Sequence, residues 1–333
     1  MLLNSAQIGH SVPIWDALPP QVLETLGEID FRVDIDSARP ALTELLNRTV
    51  LDGGKRLRPM LTLVVGHVLG LKLNDIVPLA RAIEQVHAAS LAHDDVVDNA
   101  TQRRGQDSIN VQASNKRAVL AGDYLLADVI VNLTRTGNLN LVKEMSDVIS
   151  ALSLGEWLQM DAIEKRSYSS EILEQIFRCK TASVMSWCCL APALFKHTNI
   201  KTVELLRSFG DHLGIAFQLM DDALDGSQAS QKDQNLDVEN NQVNAVALEF
   251  LKDHPEKWKA YQEGQNLASV LENADLSKAV QSVRAQANAK MESAHLILDQ
   301  LAYFLWPEES LESKMAHLAP LYFIMKLIID RDH

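Results

Sequence analysis

Asp94, Asp95 and Asp98 place three carboxylates within five positions of a run that otherwise reads as an apolar helix, Leu91-Ala92-His93-Asp94-Asp95-Val96-Val97-Asp98. Asp94 and Asp98 are four residues apart, so on a helix they share one face, with Asp95 about 100° round from Asp94. Like charges packed this tightly repel one another and weaken the helix unless a cation neutralises them. A single cluster of this kind is more often a solvated acidic patch than a metal site. Far downstream, however, Asp221, Asp222 and Asp225 repeat the same spacing. The repetition points to shared chemistry.

Carboxylates without nearby Cys or paired His suit magnesium (Mg2+) or manganese (Mn2+) rather than zinc. Magnesium keeps its waters and bridges one or two carboxylates to a substrate phosphate. Paired acidic clusters would therefore clamp a diphosphate from two sides and act on leaving-group charge. Cations are grouped to match. Gly53-Gly54-Lys55-Arg56-Leu57-Arg58 sets three of them at a helix start, where backbone donors also favour anions. Arg103-Arg104-Gly105 follows the first cluster, Lys180-Thr181 lies between the clusters, and Gln218 sits one turn before the second. Each alone is an ordinary surface group; together they outline an anion site. Glu84, His87, Leu91, Asp94 and Asp98 follow a 3-4-3-4 spacing and form one stripe on a helix. A lone His87 would be a satisfied core histidine more often than a ligand, but in line with the carboxylates it becomes a candidate binder.

The elements that position these groups read as helices. The chain has 333 residues, 47% apolar and 23% charged, long enough for a sizeable core. Its net charge of −13 argues against a nucleic-acid partner. It leaves an anionic substrate open, because bound divalent metals invert the local sign. Cys179, Cys188 and Cys189, an odd and clustered set, argue against a disulfide framework or a zinc site and imply a reduced, cytoplasmic setting. No signal peptide and no membrane-spanning run are legible.

No proline occurs between Pro78 and Pro192 or between Pro192 and Pro255, and hairpin signals are missing. The expectation is an all-α fold, a single-domain bundle of long antiparallel helices. Helices are predicted near 60–70, 75–98, 116–134, 139–163, 170–195, 201–224, 242–251, 258–272, 276–303 and 309–331. Residues 1–20 read as an irregular lead-in and 21–333 as the domain. The Gln/Asn/Asp-rich stretch from Ser227 to Asn244 reads as a mobile loop.

The segments GGKRLRP, EQVHAASLAHDDVVD, RRG, AGDYLL, GEWLQ, KTAS and GIAFQLMDD-x-x-D resemble, in this order from about 48 to 225, the trans-type isoprenyl diphosphate synthases. The resemblance is closest to bacterial long-chain, octaprenyl-type members. It implies a helical bundle around a central cavity, a homodimer, and two aspartate-rich motifs facing each other near the mouth. By resemblance, all six aspartates of the two motifs bind magnesium. Arg103, Lys180, Thr181, Gln218 and Lys232 contact the allylic diphosphate, and Lys55, Arg58, His87 and Arg104 bind isopentenyl diphosphate. Lys180 and the aspartates other than Asp225 count as catalytic.

In short-chain members a bulky aromatic commonly floors the tunnel one turn before the first motif. Here Ala89 and Ser90 stand at that level, which implies a long product; equally, small residues there permit close helix packing. The family pattern fades after the second motif. Gly226 replaces the usual aromatic, Lys232-Asp233-Gln234-Asn235-Leu236-Asp237 carries Asn235 for glycine, and Asn241-Gln242-Val243-Asn244 stands where Gly-Lys-x-Thr is expected. Gln242 cannot supply a lysine's charge. A shorter-chain synthase, a non-catalytic regulatory subunit and a terpene cyclase are the alternatives. Retention of Lys55, Arg58 and His87 speaks against the cyclase.

Overall fold

Proline and glycine punctuation accounts for many helix boundaries in the computed structural model, which describes residues 18–33, 40–103, 105–228 and 241–330. Helix α1 (Pro20–Glu28) begins on proline, whose missing N–H would have had no partner in a first turn. Helix α2 (Pro40–Leu46) runs on into a π-helical turn, Asn47–Leu51. Gly53 and Gly54, both at positive φ, separate it from α3 (Leu57–Val68). Helix α4 (Leu73–Val97) carries the first acidic cluster at its C-terminal end.

A small hairpin follows, β1 (Gln102–Arg103) antiparallel to β2 (Gln106–Asp107) with Arg103 opposite Gln106. Then come α5 (Ile109–Gln112), α6 (Asn115–Thr134), α7 (Leu139–Lys165) and α8 (Ser170–Phe177). A second π-helical turn, Arg178–Ala182, joins α8 to α9 (Ser183–Phe195). Helix α10 (Ile200–Gln228) carries the second cluster. The remainder is α11 (Ala245–Lys252), α12 (Pro255–Gln262), α13 (Leu267–Leu271), α14 (Ser277–Leu305) and α15 (Leu311–Ile329).

The all-α expectation holds. It differs in detail where elements are too short for a periodicity signal, namely the hairpin and α5. The stretch 258–272 is two helices rather than one, broken at Glu263–Asn266 around Gly264. Ser227 and Gln228 continue α10 instead of beginning a loop. Residues 229–240 lie outside the described residues.

The described residues fall into two compact units. One comprises those up to Ile149 with Trp187–Val203 and Ala319–Leu321; the other comprises Ser150–Ser186, Glu204–Leu318 and those from Tyr322 on. In the first unit, small residues let α4 and α6 approach closely: Ala88, Ala89 and Ala92 are buried in one cluster with Ala118, Ala121 and Leu125. In the second, Ile215, Leu219 and Ala223 of α10 share a core with Val246 and Leu251 of α11 and Val283 of α14. No helix among the described residues is long and apolar enough to cross a membrane.

Cys188 and Cys189 are fully buried and Cys179 is partly so, all unpaired with one another. Burial pushes the Cys188 thiol up to about 12 and raises those of Cys189 and Cys179 as well. Thiolate is the reactive form, so these thiols are quiet at neutral pH. Maleimide labelling near pH 7.5 should modify no more than Cys179 in the native protein and all three cysteines after denaturation. Rapid native labelling of Cys188 or Cys189, read by peptide mass, would contradict this packing.

Candidate active site

The first cluster is not three equivalent carboxylates. Asp95 has no solvent exposure. Its Oδ1 accepts from Nε and Nη2 of Arg103, each at 2.7 Å, and its backbone carbonyl accepts from Nδ2 of Asn110 at 3.0 Å. The hairpin exists to make this contact possible, since it turns Arg103 back over the end of α4. Oδ2 of Asp95 is buried with no hydrogen-bond partner. Asp94 is half-buried and Asp98, at the helix C-cap, is exposed. Four residues apart, these two share a face turned away from Asp95. Arg103, expected at the allylic diphosphate, is here the partner of Asp95.

The cations before α3 also divide. Arg56 takes a left-handed conformation (φ 51°) at the α3 N-cap, which aims its side chain inward. Its Nη1 donates to Oε1 of Glu84, its Nη2 donates to the Leu51 carbonyl, and its guanidinium lies 4.4 Å from the centre of the Phe31 ring. Glu84 is 5% exposed. The middle cation of the run is thus committed to holding a buried carboxylate, while Lys55 is exposed and Arg58 half-buried. His87 is half-buried one turn beyond Glu84, and its carbonyl accepts from Oγ of Ser90 at 2.9 Å. Ala89 lies in the α4–α6 core and Ser90 is half-buried. Arg104 and Lys232 lie outside the described residues.

The second cluster, in the other unit, repeats the division. Asp222 is 5% exposed. Its Oδ1 accepts from Nε2 of Gln218 at 3.0 Å and its Oδ2 from the backbone N–H of Ala245 at 2.8 Å, where α11 begins. Oε1 of Gln218 accepts in turn from Oγ1 of Thr181 at 2.8 Å. Lys180, beside it in the π-helical turn, donates to Glu156 and, at 3.1 Å, to Oε1 of Gln159. Gly155 allows this approach, since a Cβ there would overlap Cys179 and Lys180. Asp221 is half-buried and Asp225 more exposed, four residues apart on one face. Desolvation by neighbouring atoms raises the pKa of Asp225. A cation nearby would offset that cost and return the group to its ionised form.

Both clusters therefore consist of one buried anchor, Asp95 or Asp222, and an outer pair, Asp94 with Asp98 or Asp221 with Asp225. Hard oxygen donors in pairs, without sulfur or nitrogen ligands among them, fit magnesium. Among the described residues no three His, Cys, Asp or Glu side chains gather closely enough to hold an ion by themselves. A metal here would complete its shell with water or phosphate oxygens.

Two of the departures after the second motif preserve local geometry. Asn241 stands where glycine is expected and has φ 58°, a conformation asparagine tolerates better than most side chains. Asn244 accepts from the Ala247 N–H at 2.9 Å and caps α11, as the expected threonine could. Gln242 instead accepts through Oε1 from Nε2 of Gln159 at 3.2 Å. At Gly226 a Cβ would meet Val246 at 3.0 Å and Val280 at 3.1 Å, so an aromatic there would require repacking.

Comparison with known proteins gives a consistent result. The polyprenyl synthetase family profile matches residues 39–283. Octaprenyl diphosphate synthase of Escherichia coli (strain K12) is 30% identical over 214 residues, which are 61% of this chain and 66% of that enzyme. A decaprenyl diphosphate synthase from Rhodobacter capsulatus superposes with a TM-score of 0.76 at 26% identity, covering 96% of both chains. A polyprenyl synthase from Caulobacter crescentus CB15, complexed with calcium and isoprenyl diphosphate, shares the fold with a TM-score of 0.72. It is 24% identical and the match covers 91% of this chain and 92% of that one.

Asp95 and Glu84 are buried carboxylates that each depend on one arginine. Arg103→Ala and Arg56→Ala should each lower stability by about 3–5 kcal/mol in chemical denaturation, because a buried charge is left uncompensated. Replacing Arg56 and Glu84 together by Met and Leu should recover most of the loss. Wild-type stability in either single variant would show that the carboxylate does not depend on its arginine.

Proposed function

The chain belongs to the polyprenyl synthetase family, and from that premise we propose that it is a prenyltransferase that condenses isopentenyl diphosphate with an allylic diphosphate, trans and head to tail, into a long-chain polyprenyl diphosphate. The observation that carries this reading is the common build of the two acidic clusters, each with one aspartate anchored by a cationic or amide donor and an outer pair on another face of the helix. Such a build suits a substrate whose leaving group is a diphosphate.

Asp94, Asp98, Asp221 and Asp225 would hold magnesium, which when bound supplies positive charge at the departing diphosphate. Lys180 would donate to the allylic diphosphate, with Thr181 and Gln218 setting the position of Asp222. Lys55, Arg58 and His87 bind the isopentenyl diphosphate. As charge collects on the allylic diphosphate its C–O bond ionises. The double bond of isopentenyl diphosphate attacks the cation, a C–C bond forms, and a proton leaves to the released diphosphate. The reaction requires that water be kept from capturing the cation. No nucleophilic side chain is needed, in keeping with cysteines whose thiols are all held protonated by desolvation.

A long product agrees with the small side chain at Ser90 and with the octaprenyl and decaprenyl synthases among the relatives. Helices α7, α9, α10 and α15 contribute residues to both compact units without a break, which supports 21–333 acting as one domain. Val119, Leu120 and Val131 of α6 are large exposed apolar side chains and support a homodimer. Three free cysteines support a cytoplasmic site of action.

Supplied with farnesyl diphosphate, isopentenyl diphosphate and magnesium, the purified chain should make products longer than geranylgeranyl diphosphate, as read by mass spectrometry. Chelation should abolish turnover, and Asp94→Ala or Asp221→Ala should lower kcat by roughly a hundredfold or more. A product that stops at geranylgeranyl diphosphate would overturn the long-chain reading. Failure to consume isopentenyl diphosphate until another synthase subunit is added would mark the chain as a regulatory partner.

A further inference from the structure

We propose that Glu156 is the counter-ion that Lys180 exchanges for the substrate's diphosphate, a positioning residue that sets how tightly the site takes that anion. The proposal rests on the reading that Lys180 contacts the allylic diphosphate. The side chain of Lys180 is 28% exposed and that of Glu156 19%, and the two form a close ion pair. An ammonium has three N–H donors. One goes to Glu156 and one to Gln159 at 3.1 Å, which leaves the third to make the first contact with an incoming anion before Glu156 is released.

The acceptors are themselves held. Gln159 is 7% exposed, and its amide nitrogen donates to Gln242 at 3.2 Å, so its oxygen is the atom turned to Lys180. Glu156 is brought to the ammonium by the close approach of α7 at Gly155. At the next residue of the same π-helical turn, Thr181 bonds Gln218 and Gln218 bonds Asp222. The Lys180–Glu156 pair thus sits one residue from the chain of bonds that fixes the second acidic cluster.

Charge then dictates what the pair does. Without an anion, a half-buried ammonium needs a carboxylate to offset its desolvation. Once a diphosphate reaches Lys180, the same carboxylate lies beside several negative charges and repels them. Glu156 therefore competes with the diphosphate for Lys180 and recaptures the ammonium when diphosphate leaves. A purely structural ion pair would stabilise the fold and leave anion affinity unmoved.

Calorimetric titration of inorganic diphosphate in saturating magnesium, on full-length wild type and variants checked by thermal melting, separates these cases. Glu156→Gln should lower the Kd by roughly tenfold, as expected for removing one like charge at a few ångströms. Glu156→Asp should stay near wild type. The gain should shrink in a Lys180→Met background, because the two residues act as a pair. A Kd in Glu156→Gln that is unchanged or higher, or an equal gain without Lys180, overturns the counter-ion role alone. A wild type that neither binds diphosphate nor consumes isopentenyl diphosphate overturns the functional reading beneath it.

Discussion

Crowding of like charge on a helix is the constraint around which the rest is arranged. Three carboxylates in five residues cannot all face one ligand, since the helix turns about 100° per residue and the middle aspartate points elsewhere. The protein uses that divergence. Asp95 and Asp222 turn inward, where Arg103 neutralises one and the Gln218 amide and Ala245 N–H bind the other. Each inward carboxylate ties a neighbouring segment, the hairpin in one case and the start of α11 in the other, to the helix that bears the outer pair. The outer aspartates are thus oriented by a backbone that their own motif has locked.

The periodic part of this arrangement was legible in the sequence. Helical spacing placed Asp94 with Asp98 and Asp221 with Asp225, and long stretches free of proline placed α4, α6, α7 and α14 to within a few residues. Partner choice was not legible. Lys55, Arg56 and Arg58 read as one cationic group, yet only Arg56 reaches Glu84, 28 residues away. Lys180 likewise finds Glu156 at a separation of 24 residues. Such pairs are set by how helices pack, about which the period of either helix carries no information. The π-helical turns, which advance residues such as Lys180 and Thr181 round the axis, also leave no signature in the apolar pattern.

Sequence departures need the same physical treatment. Asn241 for glycine and Asn244 for threonine look like the loss of a motif, but each residue keeps the function the backbone needs, a left-handed φ in one case and a helix cap in the other. Only Gln242 changes the electrostatics, replacing the expected charge with an amide that joins Gln159. Over Asn241–Asn244 the backbone geometry is thus kept and one charge is altered. Counting mismatches would have weighed all three equally.

Smallness along α4 serves two ends that sequence cannot separate. Ala88, Ala89 and Ala92 are buried against α6, where a larger side chain would force the helices apart at a cost of about 1–3 kcal/mol. Their size is therefore required by packing whatever the product length. Ser90 is under no such constraint, since it is half-buried and its hydroxyl is satisfied by the His87 carbonyl one turn back. If side-chain bulk beneath the first acidic cluster limits a growing chain, position 90 is where bulk could vary without disturbing the helix pair, and position 89 is where it could not.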